Sequence, residues 1–244
     1  MAQVLIITGG SRGIGASVAL AAARRGYAVA IGYQSNRARA EAIVATIAGD
    51  GGKAVAVPAE VTDEAAVTEF FATVDRAFGP ITGLVTTAGI LGPTGRVENY
   101  DAASLARLFA INVTGTLICC REAIRRMSRK HGGMGGAIVT VSSTASRLGG
   151  GGANVAYAAS KGAIDTLTFG LAQELATEGI RVNAVRPGVV ATEIHPPGRL
   201  EAMAPTLPMK RAGQPEEVAD AILWLLSDEA AYVSGAILDV SGAR

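Results

Sequence analysis

Cysteine, histidine and aromatic residues are scarce in this chain, and no charge of one sign predominates. It has two cysteines, two histidines and one tryptophan among 244 residues, and aromatics make up 5%. Cys119 and Cys120 are adjacent within a helical pattern, which suggests no disulfide framework and reads as buried small apolar groups in a reducing cytoplasm. His131 and His195 lie far apart with no clustered Cys or carboxylate spacing, so no metal site is expected. The net charge of +1, without a basic stripe or a run of like charges, argues against nucleic acid or an anionic membrane as partner. No apolar stretch reads as long enough to span a bilayer, and a strand starting almost at Met1 leaves no room for a signal peptide. A cytoplasmic location is expected.

What the chain has instead is glycine, alanine and a regular alternation of pattern. Short β-branched runs near 3–8, 28–33, 54–58, 83–87, 137–142, 180–185 and 236–240 read as strands. Amphipathic stretches near 14–25, 37–49, 63–78, 102–130, 155–178 and 215–227 read as helices between them. Such alternation predicts one α/β domain over 1–244, a doubly wound seven-stranded parallel sheet of Rossmann type with helices on both faces. Right-handed crossovers give the strand order 3-2-1-4-5-6-7. Ligands of such sheets bind beyond the carboxyl ends of the strands, where 9–15, 86–89, 140–143 and 186–192 converge. The proline-containing stretch 190–214 interrupts the alternation and is long enough for a substrate lid.

The first strand runs into Gly9-Gly10-Ser11-Arg12-Gly13-Ile14-Gly15, followed by an Ala-rich helix. Glycines there admit unusual dihedrals and close approach of the backbone to a ligand. The helix then offers unpaired N–H groups and the positive end of its dipole to a pyrophosphate. A tight ligand-free turn would suffice for the glycines alone; strand, glycines and helix in register favour a dinucleotide. Further along, Tyr157 and Lys161 are four residues apart, on one face of a helix. A phenol has a pKa of about 10, and a neighbouring cation draws it toward neutrality, where it serves as an acid–base catalyst. Ser143, upstream, is the candidate to hold a substrate oxygen beside it.

In combination these motifs make the chain resemble the short-chain dehydrogenase/reductase family over essentially its whole length. The resemblance rests on Thr8 to Gly15, Ala88-Gly89, Asn112, Ser142-Ser143, Tyr157 to Lys161 and Arg181 to Gly188. It implies that Tyr157 is the acid–base residue and that Ser143 hydrogen-bonds the reacting oxygen. Lys161 would bind the nicotinamide ribose and lower the Tyr157 pKa, and Asn112 would hold a water in a proton relay. It further implies cofactor contacts at Gly9, Ser11, Arg12, Gly13, Ile14, Gly15, Ser35, Asn36, Arg37, Glu60, Val61, Ala88, Gly89, Tyr157, Lys161, Pro187, Gly188, Val189 and Thr192. A symmetric homo-oligomer, a tetramer in relatives of this size, would pair the helices at 102–130 and 155–178. Three departures stand out. Thr86-Thr87 replaces the usual Asn-containing pair, Glu60 replaces an Asp, and the Ser143-to-Tyr157 interval is a residue longer, with Gly149 to Gly152 available to absorb it.

The second strand ends in Tyr33-Gln34-Ser35-Asn36-Arg37 with no acid to grip a ribose 2′-hydroxyl, whereas Arg12 and Arg37 suit a 2′-phosphate. NADP(H) is therefore expected over NAD(H). The expected reaction is reversible hydride transfer to a carbonyl carbon of a 3-oxoacyl thioester, sugar or ketone. The alternatives are a non-catalytic NADP(H)-binding sensor or scaffold on the same fold, and a dehydration or epimerisation. Leu91, Leu148, Val189, His195, Arg199 and Met203 are candidate pocket residues; His195 could orient a substrate hydroxyl but is read as a solvated lid residue before Pro196-Pro197.

Overall fold

The apolar runs form one sheet in a computed structural model that describes residues 3–195 and 198–244; Met1, Ala2, Pro196 and Pro197, the last two within the expected lid, lie outside the described residues. Strands β1 (Val4–Thr8) and β2 (Ala28–Tyr33) are buried along their whole length, as parallel strands covered on both faces must be. With β3 (Lys53–Pro58), β4 (Gly83–Thr86), β5 (Gly136–Val141), β6 (Ile180–Pro187) and β7 (Ile237–Val240) they make seven strands in the order β3-β2-β1-β4-β5-β6-β7. Every pairing is parallel. The helices are α1 (Gly13–Arg24), α2 (Arg37–Gly49), α3 (Glu64–Phe78), α4 (Ala102–Phe109), α5 (Gly115–Met127), α6 (Ala145–Leu148), α7 (Val155–Glu174), α8 (Arg199–Met203) and α9 (Pro215–Leu226).

Alternate strand residues face opposite sides of the sheet. Val4 and Ile6 accordingly join the core beneath α3, α5 and α7, around Phe70 and Phe71. Leu5 and Ile7 join the core beneath α1, α2 and α9. Each such aromatic contributes about 1.5–3 kcal/mol when fully buried. Local chemistry sets the helix ends. Asp63 accepts from the N–H groups of Ala65 and Ala66 to start α3, and Gly79, at φ 84°, ends it. Pro215 opens α9, where the Glu217 carboxylate accepts from the Gln214 N–H and takes the Arg211 guanidinium.

Two expectations need correction. The stretch 102–130 is not one helix: after α4 the hydrogen bonding widens into a π-turn over Ala110–Thr114, α5 follows and ends at Met127, and Arg129–His131 is a separate 3₁₀ turn. Counted together, Ala102–Met127 is also long and apolar enough to cross a membrane, with a mean hydropathy of 1.5 over 18 residues, contrary to the sequence reading. One face of this span packs into the core. Leu108, Cys119, Cys120, Ala123 and Met127 are buried against the sheet, and the buried Glu122 is paired with Arg121, Arg125 and Arg126.

Because all strands run the same way, their carboxyl ends share one edge. The connections leaving β1, β4, β5 and β6 meet there, at the point between β1 and β4 where strand order reverses.

Candidate active site

A cleft of about 610 Å³ opens along this edge. Its floor is the glycine turn. Gly9 and Gly13 have φ of 64° and 51°, in the left-handed region, and a Cβ on Gly15 would lie 2.6 Å from both the Gly9 carbonyl oxygen and the Thr87 hydroxyl. Only bare backbone fits here. Helix α1 begins with no side-chain cap and no acidic residue in its first turn, so its first N–H groups face the cleft uncompensated. A pyrophosphate matches that donor set in charge and geometry. Of the departures at β4, the Thr87 hydroxyl donates to the Thr8 carbonyl and the Ala88 N–H to the Thr8 hydroxyl, so this pair of threonines ties β1 to β4. Among the described residues the buried Thr86 hydroxyl has no partner.

Ser11, Arg12, Gly13, Ile14, Ser35, Asn36, Glu60, Val61, Ala88, Gly89, Pro187, Gly188, Val189 and Thr192 line the cleft together with Gly9 and Gly15. Arg37 does not, which corrects the sequence reading. Asn36 caps α2 by accepting from the Arg39 N–H, which sets Arg37 at the outer face in an ion pair with Glu41, four residues on. The guanidinium that reaches the cleft is that of Arg39, paired with Glu193 from the segment after β6. The Arg37-to-Glu41 spacing was a legible sign that Arg37 had another partner.

Ser143, Tyr157 and Lys161 come together beyond β5 and line the cleft. The neighbouring serines are spent elsewhere: Ser142 donates to the Lys161 carbonyl and Ser146 to that of Ser143. Burial pushes the Tyr157 phenol above its ordinary pKa, and the nearby Ser143 hydroxyl partly opposes that rise. Lys161 lies with its ammonium 5.8 Å from the centre of the Tyr157 ring and donates to the Val141 carbonyl at 2.7 Å. Burial pushes its own pKa down to about 8, against the pull of Asp165. The net lowering expected of the phenol is thus corrected: burial outweighs the pull of its polar neighbours and leaves the pKa raised.

Asn112 is buried behind the cleft wall at the π-turn rather than on it. Its amide donates to the Ile90 carbonyl and the Ser160 hydroxyl and accepts from the Ile90 N–H. Both amide hydrogens are therefore committed to protein, and the side chain cross-links the helix to the β4 connection instead of bonding its own backbone. Leu91, Leu148, Val189, His195, Arg199 and Met203 all line the cleft. His195 is half-buried rather than solvated; burial, then Arg199, push its pKa down.

A parallel sheet with a glycine turn at its switch point, facing a Ser–Tyr–Lys cluster, defines an oxidoreductase that works with a nicotinamide dinucleotide. The chain belongs to the short-chain dehydrogenase/reductase family: a family model described as enoyl-(acyl carrier protein) reductase matches residues 9–242. It is 51% identical to the uncharacterized oxidoreductase YgfF of Escherichia coli, over 99% of each chain. Identity to a 3-oxoacyl-[acyl-carrier-protein] reductase of Synechocystis is 36%, covering 99% of this chain and 96% of that protein. A short-chain dehydrogenase from Burkholderia cenocepacia, solved in complex with NADP, superposes with a TM-score of 0.91 at 31% identity, covering 98% of this chain and 96% of that one.

Proposed function

We propose that the protein transfers a hydride between NADP(H) and a carbonyl or alcohol carbon of a small substrate, such as a 3-oxoacyl thioester, a sugar or a ketone. The observation that carries this reading is the Tyr157 hydroxyl, near Ser143 and next to a buried lysine, on the wall of the cleft that the glycine turn floors. The nicotinamide cofactor, when bound, gives or takes the hydride. The glycine turn and the N-terminus of α1 would hold its pyrophosphate, Glu60 and Val61 its adenine end, and Lys161 its nicotinamide ribose. Arg12 and Arg39, beside a strand end with no acid, favour a 2′-phosphate.

In the direction of reduction Ser143 and Tyr157 donate hydrogen bonds to the carbonyl oxygen and stabilise the charge that develops there. Tyr157 then delivers its proton to that oxygen. The Lys161 ammonium, close to the ring, stabilises the phenolate left behind. Asn112 keeps Ile90 and the α4–α5 turn in register behind this cluster. We further read the protein as a symmetric homo-oligomer, with copies pairing through α4, α5 and α7, and as residing in a reducing cytoplasm. The latter accords with Cys119 and Cys120 being free thiols.

The test is turnover. Wild-type protein should oxidise NADPH in the presence of a carbonyl with a higher kcat/KM than NADH. Tyr157→Phe should keep NADPH binding, followed by nicotinamide fluorescence, and lose about 10²–10⁴ in kcat. Wild-type rates in that variant would sink the mechanism, and a preference for NADH would sink the cofactor assignment.

A further inference from the structure

The described residues after β6 meet the cleft on both sides of Pro196 and Pro197. Before them, Thr192 packs on the glycine turn, its methyl 3.2 Å from where a Gly13 Cβ would stand, and Glu193 pairs with Arg39. After them, Gly213 bridges to Val190. Between these points His195 and Arg199 reach the cleft wall, followed on the same short helix by Met203.

Two polar groups there lack partners among the described residues. The His195 Nδ1 atom is buried and makes no hydrogen bond. Among the described residues Arg199 takes part in no ion pair. A buried polar atom left unsatisfied costs about 1–3 kcal/mol, which a ligand that satisfies it recovers. The acidic side chains on the cleft wall are Glu60, beyond β3, and Glu193, already committed to Arg39. The substrate end therefore presents a cation and a hydrogen-bonding ring beside the apolar side chains of Leu91, Leu148 and Met203. Apolar walls concentrate the field of such a cation on whatever enters.

We propose that the substrate is a carbonyl acid whose carboxylate is held by Arg199 and hydrogen-bonded by His195 Nδ1, with an apolar spacer leading to the carbonyl at Tyr157 and Ser143. A guanidinium offers the fork geometry and the single charge that a carboxylate matches. Burial and the neighbouring Arg199 keep the imidazole neutral, so Nδ1 can carry the one N–H that the carboxylate accepts. The inference rests on the hydride-transfer reading for its chemistry, but its binding part can be tested apart from turnover.

A series of keto acids of increasing length, each set against its methyl ester, supplies the probes. Saturation-transfer NMR reports binding to the wild-type protein, and NADPH consumption reports kcat/KM. The acid of the best-fitting length should exceed its ester by at least about tenfold in both measurements, a difference of about 1.4 kcal/mol. Arg199→Gln should bring the acid-to-ester ratio to about one, and Arg199→Lys should restore most of it. Esters bound and reduced as well as acids at every length would overturn the proposal, as would an Arg199→Gln variant that keeps the wild-type ratio. Acids that bind through Arg199 without any ketone being reduced would uphold the site and overturn hydride transfer instead.

Discussion

Lys161 is the residue at which stability and function pull in opposite directions. Its ammonium is buried with one backbone carbonyl as acceptor, and its pKa falls from 10.5 to about 8 because burial penalises the charge. With each pKa unit equivalent to about 1.4 kcal/mol, the penalty is roughly 3 kcal/mol at neutral pH. The sign follows from proton counts: between the folded and unfolded pKa values the unfolded chain holds more protons, so stability rises with pH through that window. Below it the penalty is complete, and above it there is none. Lys161→Met should therefore be more stable than wild type to urea at about pH 7, with the gap closing toward about pH 10, while carbonyl reduction is lost. A variant less stable than wild type at neutral pH would mean that the charge is not a burden. The spacing of Tyr157 and Lys161 is a loose pattern that gained meaning only beside the glycine turn, and the direction of the electrostatics was not legible at all, because it depends on how deeply Tyr157 and Lys161 sit. Arg39 was missed in favour of Arg37 for a similar reason. Which of two arginines in one turn faces the cleft depends on where Asn36 starts the helix.

Among the elements, strands were easier to read than helix interiors. Short, buried runs such as Val4–Thr8 and Ala28–Tyr33 leave little choice of structure, since they are too short for a core helix and suit a strand covered on both faces. The break between α4 and α5 carries no such mark. The run Ala110-Ile-Asn-Val-Thr114 is compatible with ordinary helix, and it widens where Asn112 bonds to Ile90 and Ser160, residues distant in sequence. Tertiary contacts of this kind account for many π-turns at functional sites. Asn112→Ala would leave the Ile90 N–H and carbonyl without their partner, at about 1–3 kcal/mol for a lost buried hydrogen bond. The expected outcome is a urea midpoint lowered by about 2 kcal/mol of stability, together with reduced kcat, since Ile90 borders the cleft. An unchanged midpoint would show that the turn does not depend on the amide.

On the scale of the whole molecule, strand order and the meeting of four connections at one edge follow from alternation and handedness, and were accessible before any coordinates. The outer surface was not. Periodicity marks which helices are apolar, but only the fold shows which apolar residues the sheet leaves uncovered. Phe109 (37% exposed), Leu117 (45%) and Phe169 (56%) remain on α4, α5 and α7; α4 packs on α7, and the π-turn that joins α4 to α5 packs on α7 as well. Single exposed apolar groups are common on any protein, whereas a group of them on adjoining helices marks an interaction face. Two-fold pairing would bury each of these side chains twice per interface, at about 25 cal/mol for each Å² of apolar surface removed from water. One charged substitution on that face is then felt at two places. Wild-type protein should sediment as an oligomer at micromolar concentration, and Phe169→Asp should shift it to a smaller species with its far-UV circular dichroism and NADPH binding retained. A wild-type monomer would overturn the pairing outright. An oligomer that Phe169→Asp leaves intact would move the interface to another face, for which the exposed Trp224 on α9 and Leu238 on the edge strand β7 are the next residues to change.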